Sequence, residues 1–128
     1  MKPRSPDIQR QILVLEDDPG QRELLTEVLT EQGLDVVAVA SSDEALAHMD
    51  THSGDTKLVI ADVNVPGILD GLAFAQLAAA SWPTVPFIII SGYIEQDLAV
   101  LPRRAAFLPK PWGVTDLRQL VESLLPRR

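Results

Sequence analysis

Ile12-Leu13-Val14-Leu15-Glu16-Asp17-Asp18-Pro19 sets four apolar residues directly against three carboxylates. A short, wholly apolar run bounded by a polar turn is the pattern of a strand covered on both faces, and such strands belong to parallel sheets. The pattern returns three times. Leu58–Ala61 stops at Asp62, Phe87–Ile90 stops at Ser91-Gly92, and Ala105–Pro109 stops at Lys110-Pro111. Strands of a parallel sheet all point one way, so the groups at their C-terminal ends meet in one crevice. A carboxylate cluster, a hydroxyl and an ammonium gathered there are the donors that a divalent cation and a phosphoryl group require.

The segments between these runs read as helices. Asp18 can cap a helix with Pro19 at its first position, and Gly33 can close it. Leu24, Leu25, Val28 and Leu29 then form an apolar stripe. Val36–Ala40 is a second strand. Ser41 with Glu44 has capping-box spacing and opens a helix to about Asp50. The histidines at its end, His48 and His52, have no clustered partner and are expected on the surface. An alanine-rich helix runs from Gly71 to about Ser81, a short one from about Glu95 to Leu101, and Ala106–Leu108 is the fifth strand. Val114, Leu117, Leu120, Val121, Leu124 and Leu125 give an amphipathic last helix that stops before Pro126.

Strands alternating with helices of this length imply an α/β fold with helices on both faces of a parallel sheet. Pro109 suits an edge strand better than a central one. A flavodoxin-like, doubly wound five-stranded sheet of order 2-1-3-4-5 meets these demands, with its crevice where strands one and three diverge. The domain is expected over residues 11–125, with residues 1–10 a flexible extension and 126–128 a tail.

Composition limits the alternatives. With 128 residues the chain can form one core without staples, and with no cysteine it has neither disulfides nor thiolate metal sites. No apolar run approaches the roughly 20 residues of a membrane helix, and residues 1–10 lack a signal-peptide core, so a cytoplasmic location is expected. The net charge of −7 lies in the first half, where residues 1–70 hold 14 acidic and 5 basic side chains. Such a surface disfavours nucleic acid and membrane and suits a cation. Carboxylates from adjacent strands would repel strongly near low-dielectric protein, and Mg²⁺ relieves that repulsion. An anionic phosphate also needs a fixed cation and a donor, roles open to Lys110 and Ser91.

These motifs together resemble the response-regulator receiver domain, from Gln11 to about Leu125. Ile-Leu-Val-Leu-Glu16-Asp17-Asp18-Pro19 resembles the family's acidic opening, and Leu-Val-Ile-Ala-Asp62 followed by Val63-Asn64-Val65-Pro66-Gly67 resembles its phosphoacceptor segment. Ile-Ile-Ile-Ser91-Gly92 matches its serine/threonine position, and Phe107-Leu-Pro-Lys110-Pro111 its lysine–proline ending. The resemblance implies that Asp62 accepts a phosphoryl group from a histidine kinase or a histidine phosphotransfer protein. Glu16, Asp17, Asp62 and the backbone carbonyl of Asn64 would serve Mg²⁺. Lys110 would pair with the phosphate, Ser91 would hydrogen-bond it, and Phe107 and Tyr93 would act in the switch. It also implies a cis Lys110–Pro111 bond. Self-phosphorylation and self-dephosphorylation would be its only chemistry, which makes the chain a signalling module and not an enzyme.

Three departures from the family pattern stand out. The loop between Asp62 and Asp70-Gly71 is about one residue longer than the commonest family pattern, and the Ser91–Lys110 segment is a few residues shorter, which implies a shortened fourth helix. Pro86-Phe-Ile-Ile-Ile-Ser-Gly-Tyr93 is similar to Pro-Phe-x-Phe-Ala-Thr-Gly-Tyr, a motif of an atypical receiver subgroup in alphaproteobacterial stress signalling. The expectation is a stand-alone receiver, a monomer or weak dimer, that acts through an unidentified protein partner. Two other classes remain open at this point. One is a phosphorylation-independent interaction module, and the other a Mg²⁺-dependent phosphohydrolase with an aspartyl-phosphate intermediate. Against the second, Asn64 stands two residues beyond Asp62, where a second acid would be wanted. An FMN-binding flavodoxin is disfavoured, because carboxylates at the first turn repel a ribityl phosphate.

Overall fold

The computed structural model describes residues 11–63, 71–92 and 105–125. Its five strands are β1 (Gln11–Leu15), β2 (Asp35–Val39), β3 (Thr56–Asp62), β4 (Phe87–Ser91) and β5 (Ala105–Pro109). They form one parallel sheet in the order β2-β1-β3-β4-β5. Four helices lie among the described residues: α1 (Pro19–Glu31), α2 (Ser42–His52), α3 (Gly71–Ser81) and α4 (Val114–Leu124). The short helix expected near Glu95–Leu101 falls outside the described residues, as do Asn64, Tyr93 and both termini.

Apolarity on both strand faces produces two core layers. Alternate residues of a strand point to opposite sides. Ile12, Val14, Leu58, Ile60, Ile88 and Ile90 therefore pack with Leu25, Val28 and Leu29 of α1 and with Leu117 and Val121 of α4. Leu13, Leu15, Val59, Phe87 and Ile89 pack on the other side with Met49 of α2 and with Phe74, Ala75 and Ala78 of α3. Phe74 meets Phe87 edge to face, with ring centroids 6.4 Å apart. The edge strand β2, by contrast, contains no fully buried residue.

Strand starts differ slightly from the apolar runs. Gln11 pairs with both Asp35 and Thr56, so the hydrogen-bond ladder begins on polar residues that hydropathy passes over. A register shift follows between Gln11 and Ile12, whose partner is Leu58, and Lys57 is the extra residue. Helix ends follow local chemistry. The Asp18 carboxylate accepts from the Gln21 N–H at 2.8 Å, with Pro19 in the first turn. At the other end Gly33 (φ 85°) lets its N–H reach the Thr30 carbonyl and that of Leu34 the Leu29 carbonyl, the paired bonds of a Schellman closure. Ser41 Oγ accepts from the Glu44 N–H, while the Glu44 carboxylate accepts from the N–H of Ala40, one residue ahead of the reciprocal capping box.

The histidines are less detached than expected. His52 is exposed, but His48 is half-buried, stacks on His52 at 4.7 Å, and has Nε2 2.8 Å from Gln11 Oε1. Burial, and then the neighbouring His52, push the His48 pKa down, with Asp55 opposing. The unfolded chain therefore binds the proton more readily, and stability falls as pH drops below the usual histidine value of 6.5. His48→Gln should flatten the fall in thermal midpoint between pH 7 and pH 5.5, which differential scanning calorimetry would register.

Candidate functional site

The sheet order reverses beside β1 and β3, and the strand registers bring their C-terminal ends together. Leu15 pairs with Ala61, so Glu16 and Asp62 emerge side by side. Asp62 pairs with Ile90, and Ser91 with Pro109, which sets Ser91 beyond Asp62 and Lys110 next to Ser91. The ladders continue one step past the strands. Glu16 N–H donates to the Val39 carbonyl, Val63 N–H to that of Ile90, and Lys110 N–H to that of Ser91. The backbone thus fixes all four positions.

Asp62 is buried (3% exposed), yet its Oδ2 lies 2.7 Å from Lys110 Nζ. Lys110 stands two strands away, across roughly two spacings of 4.8 Å. Its four-carbon stem spans that gap over the end of β4, where the small, fully buried Ser91 leaves room. The Lys110–Pro111 bond is cis, as expected.

Glu16 is the second buried acid, 3% exposed. Its pKa is pushed up to about 7, first by burial. A side-chain hydrogen bond to Asp62 and the charge of Asp62 raise it further. The Asp18 N–H, 3.1 Å from Glu16 Oε2, and the Lys110 charge pull the other way. A hydrogen bond between two carboxyl groups requires a proton on one of them, so without a cation Glu16 carries it near neutral pH. Asp17 is exposed on the rim. Arg22 ties this turn to α1 by donating from Nη1 to the carbonyls of Glu16 (3.0 Å) and Asp17 (3.3 Å).

These groups open into a cavity of about 530 Å³. Glu16, Asp17, Asp18 and Asp62 line its acidic part, and Gln21, Leu24, Lys110, Pro111 and Trp112 line the remainder. The sequence pattern placed Lys110 and Pro111 here but missed Gln21, Leu24 and Trp112. Leu24 was assigned to the buried stripe of α1 but is 39% exposed. At 100° per residue it stands about 90° from the centre of Leu25, Val28 and Leu29, a displacement the spacing already contained. Phe107 lies elsewhere, half-buried in a groove with Leu120 and Ser123 of α4.

The donor set suits Mg²⁺, which takes one or two carboxylates and completes its shell with water and phosphate instead of an all-protein cage. Among the described residues no group of three histidine or acidic side chains is arranged to hold a metal ion by itself. What the structure offers is a hydrogen-bonded pair, Glu16 and Asp62, with Asp17 at the rim.

The family model described as response regulator receiver domain matches residues 12–122. The chain belongs to this family, the receiver domains of bacterial two-component systems. Sensor kinase CckA of Brucella abortus is 32% identical over 120 residues, 91% of this chain and 13% of that protein. Response regulator protein FleR of Pseudomonas aeruginosa is 35% identical over 113 residues, 86% of this chain and 23% of that protein. The chain thus spans less than a quarter of either relative. The crystal structure of the NtrX receiver domain from Brucella abortus superposes with a TM-score of 0.80 at 29% identity, covering 89% of this chain and 97% of that one. Among the described residues, no helix is long and apolar enough to cross a membrane.

Proposed function

We propose that this domain is a phosphoacceptor: Asp62 takes a phosphoryl group from a phosphohistidine on a histidine kinase or phosphotransfer protein, and the phosphorylated form signals by binding another protein. The observation that carries the reading is the buried Asp62 carboxylate at the end of a central strand, 2.7 Å from the Lys110 ammonium and hydrogen-bonded to Glu16. An Asp62 oxygen forms the new bond to phosphorus as the bond to the histidine nitrogen breaks, and water later releases phosphate. Lys110 offsets the charge of the transferred group, and Ser91, one strand over, donates to a phosphoryl oxygen. Phe107, on the edge strand beside Ile89, couples phosphorylation to the face formed with α4. Glu16, Asp17, Asp62 and the Asn64 carbonyl would hold Mg²⁺, which supplies the positive charge that phosphoryl transfer needs. The chemistry is confined to the protein's own carboxylate.

Incubation with acetyl phosphate and Mg²⁺ should add one phosphate by intact mass, and Asp62→Asn should remove the addition. Undiminished labelling of the variant would overturn the assignment.

A further inference from the structure

The cavity above Asp62 is far larger than its proposed reaction needs. A phosphoryl group occupies a few water volumes of roughly 30 Å³ each, against about 530 Å³ of space. The surplus has its own character. Trp112 is half-buried, packed against the core that joins the sheet to α1 and α4, and still lines the opening. Leu24 lines it from α1 as one of the few large apolar side chains left exposed among the described residues, and Pro111 joins them. The rim beside this apolar wall is anionic, with Asp17 and Asp18 both exposed.

Mg²⁺ would take up the charge of Asp17, but exposed Asp18 keeps the rim beside the apolar wall anionic and disfavours a purely anionic phosphodonor. It favours a donor whose phosphoryl group, drawn to Lys110, is joined to a flat, positively charged ring that can lie against an aromatic face. We infer that Trp112 and Leu24 form a seat for the protonated imidazole of an N-phosphorylated histidine, selecting that donor over acyl phosphates. This rests on the phosphoacceptor reading and adds the residues that choose the donor. The transfer balances. The Asp62 carboxylate attacks phosphorus, the P–N electron pair returns to the ring nitrogen, and the ring, already protonated at its other nitrogen, leaves as neutral imidazole. Trp112 is a donor-positioning residue that takes no part in bond making.

The test compares kcat/KM for phosphoimidazole and for acetyl phosphate, both with Mg²⁺, in wild type, Trp112→Ala, Trp112→Phe and Leu24→Ala. Trp112→Ala should lower the ratio of phosphoimidazole to acetyl phosphate about five- to tenfold, mainly through KM, as expected for one lost aromatic or cation–π contact. Trp112→Phe should restore most of the ratio. Leu24→Ala, at an exposed position that does not threaten folding, should lower it by a smaller factor. An unchanged ratio in Trp112→Ala and Leu24→Ala, including equal losses with both donors, overturns the seat while leaving Asp62 as acceptor. If neither donor labels the wild type, the phosphoacceptor reading fails and the seat fails with it.

Discussion

Glu16→Gln should stabilise the metal-free protein at pH 8 by about 1–3 kcal/mol, raising its thermal midpoint by several degrees. The Glu16 pKa rises from 4.5 in the unfolded chain to about 7 in the fold. Between those values the folded state binds more protons, so the group's contribution to stability is present below about pH 4.5 and is lost as pH climbs through 7. Above 7 the buried Glu16 charge faces that of Asp62, offset only in part by Lys110. The full shift corresponds to about 3 kcal/mol, an upper value because the site opens to water. Glutamine cannot ionise yet still hydrogen-bonds Asp62. The difference between variant and wild type should therefore shrink toward pH 5.5. It should reverse in Mg²⁺, where only the wild type gains binding energy. Thermal unfolding at both pH values, with EDTA or with Mg²⁺, would show this. A variant less stable than wild type at pH 8 in EDTA would contradict the site geometry.

Lys110→Met should have the opposite effect on stability and a larger one on reactivity. It strips the near-buried Asp62 carboxylate of its cation while Glu16 remains beside it. Breaking a fully buried pair costs about 3–5 kcal/mol. The Lys110 side chain is 38% exposed, and a loss of about 1–2 kcal/mol is expected once solvent screening is included. In an Asp62→Asn background the same change should cost much less, since no carboxylate is left behind, and a double-mutant cycle isolates the difference. Phosphorylation by acetyl phosphate should slow by about a hundredfold, the usual scale for removing one preorganised charge or donor from a transition state. A rate within twofold of wild type would remove Lys110 from the chemistry.

The sequence exposed those parts of the fold that burial dictates. β1, β3 and β4 announce themselves because both of their faces meet helices, and their polar terminators stand at the crevice because parallel strands share one direction. Strand starts at Gln11, Asp35 and Thr56 were hidden, since the ladder's hydrogen bonds do not depend on hydropathy. In the site, Asp62 and Lys110 lie together as expected. The hydrogen-bonded pairing of Glu16 with Asp62 was not legible, because it depends on the Leu15–Ala61 register and not on residue type. Charge alone does not distinguish Glu16 from Asp17, yet the structure puts Glu16 against Asp62 and leaves Asp17 at the rim. Leu24 read as a core residue because spacing reports a helix face and not what stands opposite it, and Trp112, next to Pro111 and outside any periodic run, gave no signal.

Asp62 alone, among the carboxylates of this crevice, is the proposed phosphate acceptor. Borohydride reduces an acyl phosphate to the alcohol, so an aspartyl phosphate becomes homoserine at the position that carried it. After incubation with phosphodonor and Mg²⁺, reduction and peptide mass spectrometry should find homoserine at position 62, with Glu16, Asp17 and Asp18 unchanged. Reduction at Asp17 or Asp18, or at Glu16, with Asp62 intact would contradict the account.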